Sequence, residues 1–240
     1  MFSRPRLVSI VAGIVALGVL APAYGFNMNK SIDIESGSES GGQSTLNGSI
    51  SVGSDATVNG GLETVNGTIR VDDNARIEDA QTVNGSVRIG SGVATRDLTS
   101  VNGSITVDEE STIDGEISVV NGKIDLKRGA SVSDDVGNVN GEIDIDGAAI
   151  GGDLTTVNGD VTLSNGATLQ GDLVVERPQG RNWGRNGRKP RVTIGPGVRV
   201  AGEIRLEREV ELYISDSAEV GDVSGVMSID DAERFSGARP

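Results

Sequence analysis

The chain has 240 residues, a net charge of −14, 35 glycines, no histidine and no cysteine, with 36% apolar residues but only 2% aromatics. These values exclude a disulfide scaffold and histidine-based catalysis, and the excess of acid disfavours nucleic acid or anionic membrane as general partners. With so few Phe, Tyr and Trp to fill a rounded interior, they favour an elongated stack whose thin core needs only Val, Ile, Leu and Ala.

Residues 1–23 read as a secretory signal. Arg4 and Arg6 precede the apolar run from Leu7 to Leu20, and Ala21-Pro22-Ala23 supplies small residues for cleavage. The run is short for a membrane span, which needs about 20 residues, and no later segment is apolar enough to cross. The mature chain is therefore expected to be exported, either periplasmic or at the cell surface and secreted, without a transmembrane segment; an uncleaved signal would leave an anchor. No cysteine follows the signal to accept a lipid.

Residues 24–45 are rich in Ser, Gly and Glu, with one alternating patch at Ser31-Ile32-Asp33-Ile34. They are expected to be a lead-in or an N-terminal cap, since the ends of repeat arrays are atypical.

From residue 46 a period takes over. Asn-Gly recurs at Asn47, Asn66, Asn84, Asn102, Asn121, Asn140 and Asn158, in steps of 18 or 19 residues. So constant a period is the mark of a solenoid. In the specimen 101–119 the apolar positions are Val101, Ile105, Val107, Ile113, Ile117 and Val119, and Ser111 stands where other repeats place Ala56, Ala75, Ala130 or Ala167. Three blocks of six make a coil with three flat sides, each a short strand with alternate residues pointing inward. Asn-Gly marks the first corner, where both residues are expected to use their tolerance of positive φ. Gly, Asp and Asn mark the second corner, and Gly-Asp the third. The resulting fold class is all-β: a single-stranded parallel β-helix of triangular cross-section, regular over 46–223, with about ten coils of 18–19 residues counted from Ile32 to Val223. Asn-Gly between alternating apolar residues also suits antiparallel hairpins, but three interruptions per period fit a triangular coil better than the two of a hairpin.

The runs Ala167-Thr168-Leu169-Gln170-Gly171-Asp172-Leu173 and Val198-Arg199-Val200-Ala201-Gly202-Glu203-Ile204 resemble the coil pattern of bactofilins, bacterial polymer-forming proteins with a right-handed β-helical core. The resemblance extends loosely over 46–223 and implies right-handed winding and self-association into filaments. Bactofilins are typically cytoplasmic, whereas this chain carries an export signal. The same spacing, with Ile194-Gly195-Pro196-Gly197-Val198, is also similar to the hexapeptide of left-handed β-helices, so the pattern alone leaves the hand open.

Two groups of residues invite a functional reading. The seven Asn side chains would line one edge as a ladder of amides, and the adjoining Thr64, Thr82, Ser100 and Thr156 would then form a repetitive docking face for a glycan or another rod. Ice binding is disfavoured because Arg70, Arg88, Asp125 and Asp144 break up the outward rows. Asn47, Asn66, Asn84 and Asn102 also read as Asn-x-Ser/Thr, which comes free with the repeat; in a bacterial-looking chain these are expected to stay unglycosylated.

The second group is an insert, 177–191, with Arg177, Arg181, Arg185, Arg188, Lys189 and Arg191, no acid, and the single tryptophan, Trp183. Val192 and Ile194 resume the phase of Ile105 and Val107, so the insert is expected to emerge at an Asn-Gly corner. It is a candidate arm for an anionic glycan, lipopolysaccharide or a second acidic rod, with Arg pairing to anionic groups and Trp183 stacking. Acidic clusters such as Asp108-Glu109-Glu110 and Asp134-Asp135 lie at corners and follow no calcium-binding spacing. No catalytic residue, cofactor or metal is expected. The last segment, 224–240, has lost the period, and Val226, Met227, Ile229 and Phe235 are expected to cap the last coil.

The sequence thus points to a non-enzymatic exported β-helix with a structural or assembly role in a bacterial cell envelope. The alternatives are a binding module acting through the basic insert and, third, a polysaccharide-acting enzyme using grouped carboxylates.

Overall fold

The computed structural model describes residues 25–178 and 188–240. It is a parallel β-solenoid of about ten turns, bounded by three sheets. Eleven strands stack in the first sheet, from Gly25–Asn27 to Val223–Gly225, and eleven in the second, from Ile32–Ile34 to Glu233–Phe235; the third has seven, from Ala94–Thr95 to Glu219–Val220. Each rung pairs with the residue one period later. Leu98 faces Ile117, Ile117 faces Val136, and Val136 faces Leu154. At the ordinary strand spacing of about 4.8 Å, the stack is on the order of 50 Å long.

Residues 25–45 belong to this stack. Gly25–Asn27, Ile32–Ile34 and Glu39–Thr45 all join the sheets, so the coil pattern extends beyond the point where the sequence period becomes regular. Among the described residues the only helix is a 3-10 turn, Ile229–Asp231. No helix there is long and apolar enough to cross a membrane. The signal-like residues 1–23 lie outside the described residues.

The core is the row of inward positions. Ile105, Val107, Ile113, Ile117 and Val119 are buried, and Ser111 sits inside with the equivalent Ala56, Ala75, Ala130 and Ala167. Its hydroxyl donates to the Gly90 carbonyl at 2.7 Å and accepts the Val93 N–H at 3.1 Å, so an alcohol replaces a methyl without leaving a polar atom stranded. One inward assignment is corrected. In the strand Leu98–Asn102 the buried residues are Leu98 and Ser100, and Val101 faces outward, half-buried. At the Asn edge Val65, Val83 and Val101 are thus half-buried on the outside, and Thr64, Thr82 and Ser100 before them are in the core.

The corners differ from expectation in a way that separates two uses of glycine. Left-handed φ is found at the second corner, where Asp55, Asn74, Glu110 and Asn165 lie at 60°, 59°, 58° and 53°, and Gly37, Gly92, Gly129 and Gly197 at 67°, 67°, 76° and 69°, whereas among the Asn-Gly pairs of the edge only Gly141, at 135°, has positive φ. At the Asn-Gly corner the asparagines have ordinary φ. Its glycines are there for space: a Cβ on Gly67, Gly85, Gly103 or Gly122 would fall 1.9, 1.8, 1.7 or 2.2 Å from the carbonyl oxygen of the glycine one coil back. Coils approach so closely along this edge that any side chain would collide with backbone.

The C-terminal end is covered by the chain itself. Val223–Gly225 pairs with Ile204–Leu206 and Glu233–Phe235 with Glu211–Ser215. Between them Met227, Ile229 and Ala232 pack on the core, and Met227 Sδ accepts the Val210 N–H at 3.3 Å. At the other end, Gly25–Asn27 and Ile32–Ile34 are the outermost strands of their sheets, with no further strand over them among the described residues.

Candidate functional site

The Asn edge is a continuous ladder. Each side-chain Nδ2 donates to the Oδ1 one coil back: Asn66 to Asn47 at 2.8 Å, Asn84 to Asn66 at 2.9 Å, Asn102 to Asn84 at 3.0 Å, Asn121 to Asn102 at 3.0 Å, Asn140 to Asn121 at 3.0 Å, and Asn158 to Asn140 at 3.0 Å. The ladder has an eighth asparagine that sequence reading missed, since Asn47 donates to Asn29 at 2.8 Å. Asn29 stands one period before Asn47 but is followed by Lys30 instead of glycine, so it lacked the motif. Because every amide points the same way, the ladder ends in an oxygen, Asn158 Oδ1, with no asparagine above it.

That oxygen is taken by Arg208. Its Nη1 donates to Asn158 Oδ1 at 2.8 Å and to the Val157 carbonyl at 3.1 Å. Partial burial lowers the pKa of Arg208 from its ordinary value, yet guanidinium remains charged far above neutral pH. Arg208 reaches back past the coil that bears the insert, a contact with no sequence signal because its two partners are separated by a full extra coil. Replacing Arg208 with Ala leaves both oxygens without this donor and is expected to cost about 1 kcal/mol, measured as a lowered urea midpoint with unchanged slope; Lys in its place, with a single point charge in place of a fork, should recover only part.

A second ladder runs inside the same edge. Thr64 Oγ1 donates to the Gly48 carbonyl at 2.8 Å, Thr82 to Gly67 at 3.1 Å, Ser100 to Gly85 at 3.1 Å, and Asn138 Nδ2 to Gly122 at 2.7 Å. The expectation that Thr64, Thr82, Ser100 and Thr156 form an outward docking face is therefore corrected. All four are buried, because strand alternation turns the residue before the valine inward. A third column uses the residue after Asn-Gly, where the Ser49, Ser86 and Ser104 hydroxyls accept the N–H of Thr68, Ser104 and Lys123. The serines that complete the Asn-x-Ser pattern are thus tied into the backbone of the next coil.

The acidic corners are tied in similarly. Asp97 Oδ1 accepts the Glu116 N–H at 2.9 Å, Asp135 that of Asp153 at 2.7 Å, Asp153 that of Asp172 at 2.8 Å, and Asp172 that of Glu203 at 3.0 Å. Burial, reinforced by Asp97, Asp135 and Asp134, raises the pKa of the Glu116 carboxyl. Burial likewise raises Asp108, helped by Glu109. In the triplet Asp108-Glu109-Glu110, Glu110 supplies the left-handed corner. Among the described residues no cluster of acids is placed to hold a metal. On the second sheet, the outward row Arg70, Arg88, Thr106, Asp125 and Asp144 is charged as expected, and Lys123 there bridges to Asp144 at 3.2 Å.

The insert leaves the stack where the phase of Val192 and Ile194 requires. Val192 pairs with Val161 and Ile194 with Leu163, so the loop replaces the Asn-Gly corner between Leu173–Val175 and Arg191–Ile194. Of its candidate anion-binding residues, Arg181, Trp183 and Arg185 lie outside the described residues. The other four lie along the rod's own acids. Arg177 donates its backbone N–H to the Glu207 carboxylate and its Nε to the Glu207 backbone carbonyl; Arg188 pairs with Asp160; Lys189 pairs with Glu209 at 2.8 Å; and Arg191 pairs with Glu211 at 3.0 Å while its guanidinium stands 5.4 Å over the Tyr213 ring. The hydrogen bond from Lys189 lowers the Glu209 pKa and that to Glu211 raises Arg191. These are exposed pairs, worth little individually, but together they fasten both ends of the insert to the side of the rod.

No protein-family model, curated protein or solved structure matches the chain.

Proposed function

We propose that this chain is an exported, non-enzymatic β-solenoid that serves as a structural rod in a bacterial cell envelope, in the periplasm or at the cell surface, and self-associates. One observation supports this most directly: the repeating polar columns that could have formed a ligand face are bonded along the rod axis. Asparagine amides, threonine and serine hydroxyls and aspartate carboxylates each join one coil to the next. Such a molecule resists lengthwise separation of its coils. The likeness to bactofilins adds right-handed winding and assembly to this reading. With the C-terminal end covered by residues 223–235, end contacts fall to the N-terminal face, where Gly25–Asn27 and Ile32–Ile34 are the outermost strands among the described residues.

Sedimentation of the purified mature chain at low and high salt tests the assembly. Association through an apolar coil end survives salt; association through exposed charge is dissolved by it, because such charges are screened beyond about 8 Å at physiological ionic strength. A monomer under both conditions, with no filaments by electron microscopy, would refute assembly.

The second reading, a binding module for an anionic glycan or lipopolysaccharide, is favoured by the concentration of six basic residues between 177 and 191 on an acidic chain. Since three of them, Arg188, Lys189 and Arg191, already pair with acids of the rod, this reading rests on a ligand displacing those weak pairs. Deleting 178–190 with an Asn-Gly bridge is expected to leave the thermal midpoint nearly unchanged and to abolish retention on lipopolysaccharide. Equal retention by both forms eliminates this reading and leaves the structural one standing.

A further inference from the structure

The chain contains ten Asn-Gly pairs. In this dipeptide the glycine nitrogen, unshielded by any Cβ, can attack the asparagine Cγ. An N–C bond forms, the bond from Cγ to the side-chain nitrogen breaks, and ammonia leaves with the displaced proton. Water then opens the succinimide to aspartate or isoaspartate. The attack requires that the side-chain amide rotate away from its partners and that the glycine backbone be free to turn.

The edge pairs lack both freedoms. Their amides are held in the ladder, and at three of them the glycine nitrogen is itself engaged: Gly85, Gly103 and Gly122 donate to the carbonyls of Asn102, Asn121 and Asn140 at 3.1, 3.0 and 3.0 Å. Gly159 donates to Thr156 Oγ1 at 3.0 Å. The glycines of this edge are also packed against backbone too closely to turn. Asn59-Gly60 lies within the strand Thr57–Thr64, with Gly60 buried, and Asn186-Gly187 lies outside the described residues.

Asn165-Gly166 differs on every count. It forms the second corner of its coil, closed by the Ala167 N–H donating to the Ser164 carbonyl at 3.0 Å, with φ of 53° and 74° at the two residues. Both are exposed. A Cβ on Gly166 would have only one neighbour, 3.8 Å away, and the Gly166 N–H has no hydrogen-bond partner among the described residues. The Asn165 amide is held by a single bond, to Asp146 Oδ1 at 2.5 Å.

We propose that Asn165 is a site of spontaneous modification in the folded chain, converted through its succinimide to aspartate or isoaspartate, while the fold protects the seven edge asparagines. The product turns an amide-to-carboxylate attraction at Asp146 into repulsion between two carboxylates. It does so in the groove where Asn165 and Ser217 meet Ser236 and Gly237 of the C-terminal cap. Modification at this corner thus adds negative charge beside the cap.

The test holds the purified full chain in mildly alkaline buffer, folded and, in parallel, in guanidinium, and follows each Asn-Gly peptide by mass spectrometry. Edge asparagines in the folded chain react only through local opening, so Asn165 should convert on the order of a hundredfold faster than any of them. In guanidinium that advantage should collapse to a few-fold. An edge asparagine converting as fast as Asn165 in the folded chain overturns the proposal, as does an Asn165 that stays intact there. An advantage that persists undiminished in guanidinium also overturns it, by tracing the rate to local sequence.

Discussion

Replacing Ile105 with Asp is expected to destabilise the chain by about 5 kcal/mol or more, enough to unfold the coils around it. Ile105 is fully buried, at 0% exposure, between Val87 and Ile124 in the second sheet. The substitution removes its packing and places a carboxylate among aliphatic side chains, with no cation in the core to pair with it. The neighbouring Thr106 points the other way, in the outward row between Arg88 and Asp125. Thr106→Asp should therefore change stability by no more than about 0.5 kcal/mol. Chemical denaturation of the two variants beside the parent measures the difference. Equal losses would mean that the alternation of this strand is misassigned, and with it every inward position one period away.

A second large effect is expected from one methyl group. Gly103→Ala should cost about 3 kcal/mol, because the new Cβ would lie 1.7 Å from the Gly85 carbonyl oxygen, a backbone atom that cannot swing aside. Relief requires the two coils to separate, which breaks the Asn102–Asn84 rung at 3.0 Å and the Ser100–Gly85 bond at 3.1 Å. The contrasting variant is Gly37→Asn. Gly37 has φ of +67°, yet a Cβ there meets nothing within 4 Å, and asparagine already occupies the equivalent left-handed corner at Asn74. That change should be close to neutral. A Gly103→Ala chain with an unaltered denaturation midpoint would show that coils along the Asn edge are not held at this distance.

Much of the architecture follows from the local chain alone. The period of 18 or 19 residues between Asn-Gly pairs, the alternation of Ile105 and Val107, and the phase at which Val192 and Ile194 return after the insert are enough to specify three-sided coils, inward rows and the corner from which the insert emerges. Residues 25–45 were less legible because the strand Glu39–Thr45 carries only small and polar residues; it joins the first sheet through backbone pairing with Thr57–Thr64, which composition does not reveal.

What the sequence determined by itself is the repeat, and with it the parallel stack and the asparagine column, since these depend only on spacing and on side-chain alternation. The tertiary structure decided what each polar residue does. Thr64 and Ser100 look like surface residues in a Thr-Val-Asn-Gly motif, but stacking puts a carbonyl of the preceding coil within reach and makes the inward position satisfiable. The Asn-Gly glycines look like turn formers, but it is the distance between coils that requires them. Arg208 carries no motif and becomes the terminus of the ladder only because the insert removes the next asparagine and lets a side chain from one coil further on reach Asn158. The physical reason is common to all three: a period fixes which residues recur, whereas hydrogen bonding and steric exclusion act between coils, across distances that no local pattern encodes.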